Sequence, residues 1–208
     1  MNNLFSITVG REIGSGGGVI AQKIAEHFNC NLYDKEILTM AAKESGFSEK
    51  LFHDHDEHHS RLHNLIFNKI PILGPSNYYS NEVSQGSLFK YQSEVALKEA
   101  EQHRCVFVGR GMDYVLREHQ NIVRIFIHAD MEYKIHQVMM RNVCTENEAR
   151  RIIINGEKRR AKYYNFYTGQ KWGAKKYYDI CINSCALGLE TTAELLFDFI
   201  EKKLNINK

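Results

Sequence analysis

The chain has 208 residues, 43% of them hydrophobic and 25% charged, the proportions of one soluble globular domain with room for an inserted substructure. A formal net charge of +2 is too near neutral for a dedicated nucleic-acid or polybasic membrane protein, and no basic n-region or long apolar run stands at the N-terminus. Five cysteines, an odd number with no CxxC pair, suit reduced thiols, so the expectation is a cytoplasmic protein with neither nucleic acid nor membrane as partner.

In chain order, Phe5 to Gly10 reads as a short buried strand that runs into glycines. From Gly17, Ile20, Ile24 and Phe28 recur every four residues beside Ala21 and Ala25, which predicts a helix with one apolar stripe. Asn31 to Asp34 reads as a second strand, Lys35 to Ser45 as a helix, and Leu51 to Phe67 as a helix carrying histidines. Pro71 to Gly86 reads as a loop, Leu88 to His103 as a helix, and Cys105 to Gly109 and Ile122 to Ala129 as apolar strands. Met131 to Asn142 reads as a helix capped by Asp130, and Thr145 with Glu148 as a capping box opening a long helix. Asp179 to Asn183 is the last strand. Thr191 with Glu194 opens a final helix striped by Leu195, Leu196, Phe199, Ile200 and Leu204. Alternation of strands and helices implies an α/β fold with a mainly parallel sheet covered on both faces. In such sheets ligands bind at the carboxyl ends of the strands, where the glycine loop, Asp34, Gly109-Arg110 and Asp130 all fall.

The stretch Gly14-Ser15-Gly16-Gly17-Gly18, between a strand and a helix, fits a phosphate cradle. Glycine lets the backbone wrap close to an anion, and the helix start adds partial positive charge. The usual GxxxxGK[ST] loop places a lysine where this chain has Gly17, and Arg11 is the nearest cation able to supply the missing charge. The alternative is a tight strand–helix turn with Arg11 in solvent. Arg110, at the end of an apolar strand, suits bidentate phosphate contact, or else an ion pair with Asp113 or Asp34. Asp34 can hold a magnesium-bound water or orient an acceptor, or cap the helix from Lys35.

The segments "REIGSGGGVIAQKIA", "LYDKEIL", "CVFVGRGMDYVLR" and "EKRRAKYYNFYTGQKWG…YDICINS" together resemble the cytidylate kinase-like family of P-loop proteins, over nearly the whole chain. The resemblance implies a three-layer nucleoside-monophosphate-kinase fold: a five-stranded parallel sheet, helices on both faces, an acceptor-binding insertion at about 47–87 and a basic lid at about 145–176. It implies phosphoryl transfer from ATP with Mg2+, a small-molecule nucleotide acceptor, by default CMP, and ATP bound by Gly14, Ser15, Gly16, Gly17 and Gly18. Arg11, Asp34 and Arg160 are the implied catalytic residues, and Lys35, Arg110, Arg151 and Glu157 the acceptor-side ones. Arg160 stands three residues after Glu157, as in the lid's "DxxR" with glutamate for aspartate.

Three departures stand beside these matches. Gly17 replaces the loop lysine, Gly111 the aspartate that follows "GR", and Met40 an arginine that grips the acceptor nucleotide. They leave two alternatives open: a kinase of a different small metabolite, and a nucleotide-binding regulator with little turnover. The run "FHDHDEHHSRLH" has i, i+4 histidines, but reads as a solvated helix face, and no metal-ligand site is expected there.

Overall fold

The computed structural model describes residues 4–34, 37, 40 and 85–206. Its elements are β1 (Ser6–Arg11), α1 (Gly17–Phe28), β2 (Asn31–Tyr33), α2 (Gln85–Gln102), β3 (Cys105–Val108), α3 (Met112–Val115), β4 (Ile122–His128), α4 (Met131–Asn142), α5 (Glu146–Thr168), a 3-10 turn (Lys175–Tyr177), β5 (Ile180–Asn183) and α6 (Ser184–Leu204). The expected insertion at 47–87, the histidine run and Lys35 lie outside the described residues, except for the backbone from 85.

The five strands form one parallel sheet in the order β2-β3-β1-β4-β5. Side chains alternate across each strand, so a sheet buried on both faces needs two cores. Ile7, Val9, Val106, Val108, Ile125 and Ile127 pack under α1 and α6 with Ile20, Ile24, Phe28, Leu196 and Ile200. Tyr33, Cys105 and Phe107 face the other way, against Ile37, Ala96, Ala100, Met112 and Leu116. The α1 stripe is therefore the buried face that its spacing predicts. A third cluster joins α4 to α5 through Ile135, Val138, Ala149 and Ile153, with Ile13 packed against it.

Thr145 and Glu148 do form the expected capping box of α5. Two other helix signals resolve differently. Asp130 occupies the cap position of α4 but makes no side-chain cap; its Oδ1 accepts from Asn183 Nδ2 at 3.1 Å, so the carboxylate ties α4 to β5. The last helix starts at Ser184, capped by Asn183, and kinks at Gly188 (φ 76°, ψ 167°). Thr191 therefore opens nothing: it lies past the kink, and Thr192 Oγ1 donates to the Gly188 carbonyl at 2.6 Å. Past the kink the buried stripe is Thr192, Ala193, Leu196 and Ile200, and Leu195 is exposed.

Candidate active site

The carboxyl end of β1 runs through a tight turn into α1. Gly14 and Gly16 are left-handed (φ 77° and 73°), a conformation that L side chains resist. Ser15 is fully buried: its Oγ donates to the Glu12 carbonyl at 3.0 Å, and its own carbonyl accepts from Ser184 Oγ at 2.7 Å. Leu189 fills the place that a Cβ on Gly16 would take. The first helical bond runs from the Ile20 amide to the Gly16 carbonyl, so the amides of Gly17 to Val19 stand ahead of it. A Cβ on Gly18 would meet nothing within 4 Å, so solvent or a ligand can approach the helix start there. Helix starts of this kind bind anions.

Arg11 crosses the end of the sheet. Its Cβ and Cγ lie 2.5 and 3.0 Å from where a Gly17 side chain would begin, and its Nη1 occupies the space of a Cβ on Gly109. Its Nη2 reaches Asp34 Oδ1 at 3.3 Å. One side chain thus spans β1, β3 and the end of β2. Gly17 leaves room for the Arg11 stem, and Gly109 is favoured by its left-handed backbone (φ 74°) with the Arg11 guanidinium above it. The guanidinium sits between the loop and the pocket beyond it, so Arg11 is not a solvated residue at a turn.

That pocket is lined by Gly10, Arg11, Asp34, Gly109, Arg110, Gly111, Asp113, Arg160, Tyr163, Tyr164, Trp172 and Tyr178. Gly109, Arg110 and Gly111 are three successive left-handed residues (φ 74°, 57° and 72°). For arginine this conformation is strained by about 1 kcal/mol, and such strain collects at functional sites. It places the guanidinium carbon 5.2 Å from the centroid of the Tyr163 ring, whose hydroxyl donates to Gln92 Oε1 at 3.2 Å. A Cβ on Gly111 would point at Phe89 and Thr168. Arg160 Nη1 donates to the Arg11 carbonyl at 2.7 Å, which anchors α5 to the end of β1.

The structure also brings forward residues that sequence reading passed over. Lys134, on α4 and almost fully buried, donates to Glu12 Oε2 and to Glu157 Oε1, each at 2.8 Å. Burial alone pulls its pKa down, but bonds and charge from the two glutamates outweigh this and raise it. Glu157 therefore faces Lys134 and does not line the pocket. Arg151 is exposed and does not line it either; Arg150 pairs with Glu146 on the helix surface at 3.4 Å. Of the four arginines on α5, Arg160 alone reaches the pocket. A sequence signal for Lys134 existed: it falls on the stripe Met131, Ile135, Val138, where a lysine needs partners. Asp113, which the sequence offered only as an ion-pair partner for Arg110, is 7% exposed and bonded to Tyr164. Its Oδ2 accepts from Tyr164 Oη at 2.6 Å, and burial is the main reason that its carboxyl pKa is raised.

No group of three or more His, Cys, Asp or Glu side chains among the described residues could hold a metal ion, and no helix there is long and apolar enough to cross a membrane. Thiol reactivity also has little support near the sheet: burial pushes Cys30 and Cys105 up to about 12.

No curated protein matches the chain. An uncharacterised protein from Eubacterium ventriosum is similar in structure, with a TM-score of 0.71 and 28% identity over 95% of this chain and 98% of that one. Shikimate kinase from Bacteroides thetaiotaomicron (TM-score 0.54, 11% identity, 95% and 99% covered) and that from Acinetobacter baumannii in complex with shikimate (0.52, 13%, 99% and 96%) share the fold. The parallel five-stranded sheet with its glycine loop is thus the fold of P-loop kinases. The family model for the cytidylate kinase-like family matches residues 6–186, and the chain belongs to that family.

Proposed function

We propose that the protein transfers the terminal phosphoryl group of ATP, with Mg2+, to a small anionic acceptor, by default a nucleoside monophosphate. One observation carries the reading: the stem of Arg11 fills the space where a side chain at Gly17, the place of the missing loop lysine, would begin, and Arg11 lines a pocket with Arg110 and Arg160. Phosphoryl transfer asks mainly for positioning and for positive charge around the moving group. The amides of Gly17 to Val19, with the turn Gly14-Ser15-Gly16, bind the donor phosphates. Arg11 neutralises charge at the donor–acceptor junction, and Arg110 and Arg160 hold the acceptor's anionic group. An acceptor oxygen forms the new bond to the terminal phosphorus while the bridging P–O bond breaks and the nucleoside diphosphate leaves. The loop has no hydroxyl at Gly18 to ligate a metal, so Asp34, 44% exposed at its side chain, is the carboxylate that fits magnesium through water. The ion supplies charge neutralisation on the phosphates. The segment at about 47–87 is the proposed acceptor-side insertion, to which Lys35 and Arg151 are assigned as acceptor contacts, and about 145–176 the proposed lid, with Arg160 as its contribution to the pocket.

A second reading, a kinase of another small metabolite, is favoured by position 111, where a side chain would face Phe89 and Thr168. The chain has no aspartate at this place, although Gly111 lines the arginine pocket, so the acceptor specificity of a cytidylate kinase is not required. Turnover of Mg–ATP against a panel of nucleoside monophosphates and hydroxy acids separates the readings. Arg11→Ala lowers turnover or ATP affinity at least about tenfold, equivalent to about 1.4 kcal/mol. Unchanged affinity together with unchanged turnover removes Arg11 from the reaction, and nucleotide binding without turnover on any acceptor leaves a regulator.

A further inference from the structure

Two helices carry stripes of opposite charge on their outer faces. On α5, Ile154, Lys158, Lys162 and Phe166 recur every four residues and all are exposed, Phe166 to 78%. The inner face of that helix is buried at Ala149, Ile153, Gly156 and Tyr164. On α6, Glu190, Glu194 and Asp198 follow the same spacing and are exposed, while Ala193, Leu196 and Ile200 face the core. Beside this acidic stripe runs a groove of about 450 Å3 between α1 and α6. Exposed Leu195 lines it, with His27 stacked on Phe197 at 4.0 Å. Lys23 pairs with Glu190 and His27 with Glu201 at its margins. Among the described residues no cation lies within ion-pair distance of Glu194 or Asp198, and no carboxylate within that distance of Lys158 or Lys162. Like charges four residues apart on a helix repel, so each stripe is eased by an opposite one laid against it.

We infer that two copies of this chain associate through these faces: α5 of one copy lies along the α1–α6 groove of the other. Lys158 and Lys162 meet Glu194 and Asp198, and Phe166 enters the groove beside Leu195. Single exposed ion pairs contribute little, so the charges set register and encounter rate while the apolar anchors supply the burial. An anionic lipid surface or a nucleic acid matches the basic stripe alone and leaves the groove and Leu195 bare; a second copy covers both. The inference does not rest on the phosphotransfer reading, although the same helix carries Arg160 to the pocket.

The test follows the full chain by sedimentation velocity without nucleotide, from about 1 to 300 µM. The expected result is reversible association that weakens as salt rises. Lys158→Glu with Lys162→Glu lowers the association constant at least about tenfold, and Glu194→Lys with Asp198→Lys does the same. Mixing the two variants, or combining all four substitutions in one chain, restores association, a recovery that misfolding does not give. Phe166→Ala weakens association about tenfold at unchanged thermal stability. The inference is overturned if the wild-type chain is monomeric throughout, if either charge reversal leaves association unchanged, or if neither the mixture nor the combined chain recovers it. A monomeric chain that binds vesicles of anionic lipid or duplex RNA through Lys158 and Lys162 overturns it in favour of that partner.

Discussion

The first two side-chain carbons of Arg11 occupy the space into which a side chain on Gly17 would grow. The absence of lysine from the loop is therefore a packing consequence as well as a substitution. A lysine written back at this position would have to displace the arginine. Gly17→Lys is expected to lower stability by about 1–3 kcal/mol through overpacking and to weaken ATP binding. Gly17→Ala is expected to do the same to a lesser degree. Urea unfolding with nucleotide titration of both variants checks this; a Gly17→Lys protein that is as stable as wild type and binds ATP more tightly contradicts it.

Lys134 lies between Glu12 at the loop and Glu157 on α5, so it joins three segments around one ammonium group. Lys134→Met leaves two carboxylates facing each other and is expected to cost about 3 kcal/mol, read from denaturant midpoints. Because the folded pKa is raised above the ordinary 10.5, the lysine's contribution is complete below that value and is lost as pH rises through the raised one. The gap between wild type and variant should hold steady from pH 6 to 9 and narrow only in stronger alkali. A gap that closes near neutrality argues against the bridge.

Asp179 offers a test in acid. Burial alone would raise its pKa, but Arg124 and Lys203 together with the Arg124 amide lower it below the ordinary 3.8. Stability from this group is present above 3.8 and disappears as pH falls through the depressed value. Asp179→Asn should lose about 2 kcal/mol at pH 7 and approach wild type as pH falls through the depressed value. Thermal melts across this range decide it; a loss independent of pH points to packing instead.

Helix α5 is docked by Ala149, Ile153 and Gly156, which meets Ile13, and by the bond from Arg160 to the Arg11 carbonyl. If α5 acts as the proposed lid, amide exchange across residues 151–160 slows when Mg–ATP and an acceptor are added. Equal protection with and without ligands makes α5 a fixed wall.

Much of the fold could be read directly because it rests on local periodicity. Ile20, Ile24 and Phe28 mark α1 by spacing, and the Thr145–Glu148 box marks α5 by two residues whose side chains each accept from the other's amide. The site was legible only where one segment carries it, as in the glycine turn. Arg11 could be named as the compensating cation, but not its course over Gly17 and Gly109, which depends on three strands. Lys134 was hidden because its partners lie 122 and 23 residues away. The α6 start was missed because Thr191 with Glu194 imitates a cap, while the actual break is a glycine four residues past the Ser184 start.

The Ser184–Ser15 bond joins residues 169 positions apart, and Leu189 lies against Gly16. The glycine turn is thus braced by residues far along the chain from it, so that under the proposed function a change at Ser184 or Leu189 would disturb the donor-phosphate site through the backbone that carries it.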